Sequence, residues 1–201
     1  MQFYGKDNFQ IIKDSIKTFI RTFNVSSGLT RVGVIVFSTN ATAVFKLDSY
    51  TTQSDVEQAI DNIKYPAGGT YTGKALTKAA EDLFGPNSVR SSNVSKILVV
   101  VTDGVSTNDV TQPASLLKNI NVVPYVVGIG SNYDVSQLEQ IAVNATNRVF
   151  KTEFNSLSET FIRLRGKICQ GTYLFHNVCF NMRLLGLPIT IFLCYFIRRF
   201  R

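Results

Sequence analysis

Residues 95–104 read SKILVVVTDG. A nearly all-apolar, β-branched run of this length marks a strand covered on both faces, the usual condition of a parallel sheet flanked by helices. Asp103-Gly104 ends it sharply. Downstream, VVPYVVGI at 122–129 is a second buried strand, and Pro113 to Lys118 a short helix with Pro near its first turn. Val135 to Val143 and Leu157 to Ile168 read as helices, with a short strand at Arg148 to Lys151 between them. Upstream, Thr72 to Phe84 is helical after a break at Tyr65-Pro66-Ala67-Gly68-Gly69. Ser54 to Ile63 is a short helix, with Ser54 as N-cap and Glu57 completing a capping box. RVGVIVFS at 31–38 and Ala41 to Leu47 form an antiparallel hairpin around Ser38-Thr39-Asn40. Asp7 to Phe23 carries Phe9, Ile12, Ile16, Phe19, Ile20 and Phe23 at helical spacing. Strands alternating with helices predict an α/β fold with a doubly wound, mostly parallel sheet and helices on both faces.

The chain has 201 residues with 45% hydrophobic and 17% charged side chains, enough for one folded α/β domain. The net charge is +7, but residues 171–201 hold four arginines and no acid. The body has no Lys/Arg run interleaved with aromatics, which argues against a nucleic-acid partner. Cys169, Cys179 and Cys194 all lie near the end. They form no CxxC or Cys/His cluster of zinc spacing and read as ordinary thiols or one terminal disulfide, with Cys169–Cys179 allowed by spacing. MQFYGKDNF at the start has no apolar leader core, so the chain reads as cytosolic or as a fragment or altered splice product, the second being favoured.

Two loops carry the chemistry. GGTYTGKAL at 68–76 precedes a helix, and Thr102-Asp103-Gly104 closes a central strand. Loops at the carboxyl ends of parallel strands form the ligand crevice of an open α/β sheet. A hydroxyl and a carboxylate converging there are hard oxygen donors for Mg²⁺ or Ca²⁺. GGTYTG lacks the frame of a phosphate loop. His176 is the single histidine and lies in the anomalous tail, so no Ser/His/Asp set can be built around it.

GKDNFQIIKDSIKTFI, RVGVIVFS, GGTYTGKAL, ILVVVTDG and VVPYVVGIG occur in order and at consistent spacing from Phe3 to Cys169. This combination resembles a von Willebrand factor A (VWA) domain, most closely those of matrilins and of collagens. The resemblance implies a non-enzymatic, secreted adhesion module that binds matrix proteins such as collagen. It also implies a metal-ion-dependent adhesion site (MIDAS) for Mg²⁺ or another divalent cation. By resemblance Thr70 and Asp103 are metal ligands, and Thr70, Tyr71, Thr72, Asp103 and Gly104 form the partner-binding surface. Four N-x-S/T sequons, at Asn24, Asn40, Asn93 and Asn144, suit glycosylation of such a protein.

The front of that pattern is missing. The family's Asp-x-Ser-x-Ser, which follows its first strand, would align with the start of this chain, where Phe3 takes the third ligand position and the Asp has no counterpart. The site is therefore expected to be incomplete and its metal binding weak or absent. The first, central strand is missing as well, which leaves its neighbours with unpaired backbone groups and the chain unstable or in need of a borrowed strand.

Residues 1–170 thus read as an N-terminally truncated VWA domain and 171–201 as a hydrophobic, basic tail. Within the tail, LLGLPITIFLCYFI at 184–197 is shorter than the about 20 residues of a spanning helix and has Pro188 inside. A membrane-associated or disordered tail is the favoured expectation. Insertion of PITIFLCYFI at 188–197 into the vacant central position is the less favoured one. Competing functional readings are a truncated or membrane-tethered variant that binds nothing and an intracellular VWA subunit of a multiprotein complex.

Overall fold

In the computed structural model, which describes residues 3–26, 28–86, 94–171 and 189–195, helix α1 (Phe3–Ile20) begins four residues ahead of the expected start at Asp7. Its Phe9, Ile12, Ile16, Phe19 and Ile20 lie on one buried stripe. Strands β1 (Arg31–Phe37) and β2 (Ala41–Phe45) form the expected antiparallel hairpin, Phe37 opposite Ala41. Helix α2 (Gln53–Asp61) is capped by Thr52, whose hydroxyl accepts from the Asp55 N–H, and not by Ser54. Thr52 sits in extended backbone and Asp55 answers it from the third helical position. Glu57 is therefore left to pair with Arg21 of the region just after α1.

Helix α3 (Thr72–Lys78) runs on through a π turn at Ala79–Leu83. β3 (Ser95–Thr102) and β4 (Val122–Ile129) have the bounds expected from sequence. α4 (Thr111–Asn119) starts earlier than Pro113 because the Asp109 carboxylate accepts the N–H groups of Thr111 and Gln112. Pro113 is then in the first turn, where its missing N–H costs nothing. α5 (Val135–Ile141) is capped by Asp134, followed by β5 (Val149–Thr152), α6 (Leu157–Gly171) and β6 (Ile189–Tyr195).

The six strands are ordered β2-β1-β6-β3-β4-β5, all parallel except the β1–β2 pair. One face packs α1, α2 and α6 against Val32, Val34, Ile97, Val99 and Val127. The other packs α3, α4 and α5 against Ile35, Phe37, Leu98, Val100 and Val126. Phe19 and Phe161 stack at 5.0 Å, joining α1 to α6.

Among the described residues no strand precedes α1, and the centre of the sheet is held by β6. Thr190 lies opposite both Arg31 and Lys96, and Tyr195 opposite both Val36 and Val101. Seven residues of the stretch beyond 170 thus belong to the sheet, where a membrane-associated or disordered tail had been the favoured expectation. The physical reason is that β1 and β3 otherwise present two facing rows of unpaired N–H and C=O groups. ITIFLCY, with no charge, Gly or Pro, satisfies both at once. No helix among the described residues is long and apolar enough to cross a membrane. Cys169, in the last turns of α6, is disulfide-bonded. Asn93, His176, Cys179 and the rest of the tail lie outside the described residues.

Candidate functional site

Val36 of β1 and Val101 of β3 share Tyr195 as register partner, so the two strands end level with each other on one rim. Ser38 and Asp103 each stand two residues beyond that level. The loop at 68–72 lies against both exits. Tyr71 donates its N–H to the Ser38 carbonyl at 3.0 Å, and Gly69 donates to the Thr39 hydroxyl at 3.0 Å. The Thr70 carbonyl accepts from the Thr107 N–H at 2.8 Å and from the Thr107 hydroxyl at 3.0 Å.

Two glycines permit this approach. Gly68 has φ +145°, and a Cβ there would stand 2.6 Å from the Thr39 hydroxyl oxygen. A Cβ on Gly73 would stand 1.8 Å from the Asp109 carbonyl oxygen. The Gly73 N–H instead donates to the Asn108 side-chain carbonyl at 3.1 Å. The loop after β3 is also pinned on its far side. Ser106 donates its N–H to Gln137 Oε1 at 2.7 Å, and Gln137 returns a bond to the Ser106 carbonyl at 3.1 Å. Inside the turn, the Thr102 hydroxyl donates to the Gly104 carbonyl at 3.1 Å.

The geometry divides the sequence-derived residues. Thr70, Thr72, Asp103 and Gly104 are buried, and Tyr71 is half-buried. Thr39, Lys74, Val105 and Thr107 are exposed members of the same rim that the sequence does not single out. Thr39 was read only as part of a turn, and the other three come close only through chain crossings. The Lys74 ammonium lies 4.6 Å over the Tyr71 ring and donates to the Thr39 carbonyl at 3.0 Å, which fixes both side chains. Val105 is 41% exposed. The Asp109 carboxyl, accepting the N–H groups of Thr111 and Gln112, and the Asp134 carboxyl, accepting from the Ser136 side chain and N–H, are held below the usual carboxylate range. Of the sequons, Asn24, Asn40 and Asn144 are exposed, and Asn40 adjoins Thr39 on the rim. A cavity of about 390 Å³ lined by Ile97, Val123, Tyr125, Arg148 and Lys167 opens at the other end of the strands.

The family model of the von Willebrand factor type A domain matches residues 2–163. The chain belongs to that family. Its VWA sequence is 31% identical to human matrilin-4 over 166 residues, 81% of this chain and 27% of matrilin-4. It is 30% identical to the mouse collagen alpha-4(VI) chain over 165 residues, 82% of this chain and 7% of the collagen. The VWA module therefore spans only a small part of these matrix relatives. Among solved structures it resembles proximal thread matrix protein 1 from the mussel byssus, in a form with a zinc-occupied MIDAS motif. There the TM-score is 0.74 with 26% identity, over 82% of this chain and 43% of that one. Manganese-loaded Plasmodium vivax TRAP protein shares the fold at a TM-score of 0.61 and 19% identity, over 75% of this chain and 65% of that one.

Proposed function

We propose that this VWA domain is a protein-binding adhesion module of the matrix type, and that it takes its partner at the rim built from residues 38–40, 68–74 and 102–109. The observation that carries this is the mutual pinning of three loops: Tyr71 to Ser38, Thr70 to Thr107 and Gly73 to Asn108. Loops held this way are ordered before a partner arrives, which lowers the entropic cost of association. Tyr71, Lys74 and Val105 are the side chains a partner would touch, while Thr70, Thr72, Asp103 and Gly104 shape the surface from beneath. The matrix setting of the relatives supports an extracellular partner, collagen or another matrix glycoprotein, and the exposed sequons suit a secreted protein.

The donor set does not fit a resident Mg²⁺. Thr70 and Asp103 offer one hydroxyl and one carboxylate toward an octahedron that requires near-ideal geometry. Phe3 and Tyr4, the first residues of α1, bring no carboxylate. We therefore propose binding that needs no divalent cation.

The test is binding of the purified chain to immobilised collagens and matrix glycoproteins, with Mg²⁺ and with EDTA. Chelation is expected to leave binding unchanged. Tyr71→Ala is expected to weaken it by roughly tenfold, as for a tyrosine anchor. Loss of binding in EDTA would overturn the cation-free reading. Binding to none of the surfaces, or an unchanged Tyr71→Ala variant, would overturn the rim as an adhesion surface.

A further inference from the structure

β6 is the last described element of the chain and an inner strand of the sheet. It is parallel to both neighbours, pairing with Arg31–Val36 on one flank and Ser95–Val101 on the other. The residues facing it, 32–36 and 97–101, are all buried. The slot therefore accepts one kind of segment: extended, uncharged, β-branched or aromatic, and running with its neighbours. A segment bearing a charge would have to bury it unpaired.

We propose that this slot is a strand-acceptor site whose second occupant is β6 of another copy, so that two copies complete each other's sheets by exchanging their last strands. The neighbour's strand has the right sequence by construction and makes the same backbone pairs. The exchange thus creates two-chain assemblies without any new contact. Residues 172–188 join α6 to β6. The covalent link holds its own strand at an effective concentration on the order of millimolar. Self-occupancy therefore prevails in dilute solution, and exchange grows when chains refold together at high concentration. The proposal is independent of what the loop rim binds.

The register supplies the test. Cys194 lies opposite Ile35 on one flank and Val100 on the other, and neighbouring strands lie within disulfide range. The unaltered chain is refolded at rising concentration, up to about 1 mM, in an oxidising buffer that preserves the Cys169 disulfide, then diluted and sized. A dimer whose share rises with refolding concentration and which persists on dilution is expected. Monomer alone at every concentration overturns the proposal.

The acceptor Ile35→Cys/Cys194→Ser is then co-refolded with the unaltered chain. A covalent pair joining position 35 of one chain to Cys194 of the other is expected, at least tenfold above a control in which the donor carries Cys194→Ser. Val100→Cys/Cys194→Ser offers the opposite flank should the first acceptor fold poorly. A dimer that crosslinks from neither flank, or equally well with the control donor, dimerises by another route and also overturns the proposal.

Discussion

Thr107 bonds the Thr70 carbonyl twice, through its backbone N–H at 2.8 Å and its hydroxyl at 3.0 Å. The exit loop of β3 and the loop before α3 are thereby joined across 37 positions of sequence. Thr107→Val keeps the N–H bond and the shape but removes the hydroxyl. A loss of about 1 kcal/mol is expected in urea unfolding, with faster amide exchange at Tyr71 and Gly73. Unchanged exchange at both amides would mean that the hydroxyl does not hold the rim.

Gly73→Ala tests the close approach at the head of α3. The added methyl would meet the Asp109 carbonyl at 1.8 Å, which is backbone and cannot swing aside. Ala is the better helix former, so propensity alone favours the variant. The clash is expected to win, with a net loss of about 1–3 kcal/mol. A variant more stable than the parent in thermal melts would show that the two loops stand further apart.

The place of β6 can be tested with a single charge. Leu193 is level with Val34 and Val99, both fully buried. Leu193→Asp is expected to destabilise the chain by more than about 4 kcal/mol, the range of an unpaired buried charge. The readout is loss of soluble, folded protein by circular dichroism. Lys46→Asp, on an exposed residue, serves as control. Equal stability of the two variants would remove β6 from the interior.

The α1–α2 face carries a pH dependence. Glu57 is held below the usual carboxylate range, chiefly by its hydrogen bond from Arg21, with a further bond from Gln53. A depressed folded-state value contributes stability above the ordinary glutamate range, and that contribution fades as acid protonates the folded carboxylate. Glu57→Gln is therefore expected to lower the melting temperature slightly at pH 7 and to converge with the parent at about pH 3. The effect is small because the pair faces solvent. A difference that grows toward low pH would contradict the pairing.

Much of the fold was legible because burial on both faces writes itself into composition. β3 and β4 have the bounds that SKILVVVT and VVPYVVGI imply, and the stripe of α1 is buried as its spacing requires. Local rules failed where two residues compete for one role. Ser54 satisfies the capping pattern, yet Thr52 wins because Asp55 bonds it back. At the rim, Thr70 and Asp103 stand out through the resemblance of GGTYTGKAL and ILVVVTDG to the family's loops. Thr39, Lys74, Val105 and Thr107 do not, since loop crossings rather than spacing bring them there. The strand character of 189–195 was likewise visible, and its central position was the less favoured of the two expectations for the tail. Side-chain pattern specifies which faces are covered and says nothing about which edges lie alongside.

Synthesis runs from the N-terminus, so residues 189–195, an inner strand of this sheet, leave the ribosome after every other described strand. Until residues 189–195 emerge, β1 and β3 cannot be bridged, and the nascent chain carries two halves of a barrier layer with a gap between them. A premature stop or a protease cut in the last stretch of most domains merely trims a fringe. Here a break between α6 and β6 would take out an inner strand, which makes residues 189–195 a part this domain can hardly spare.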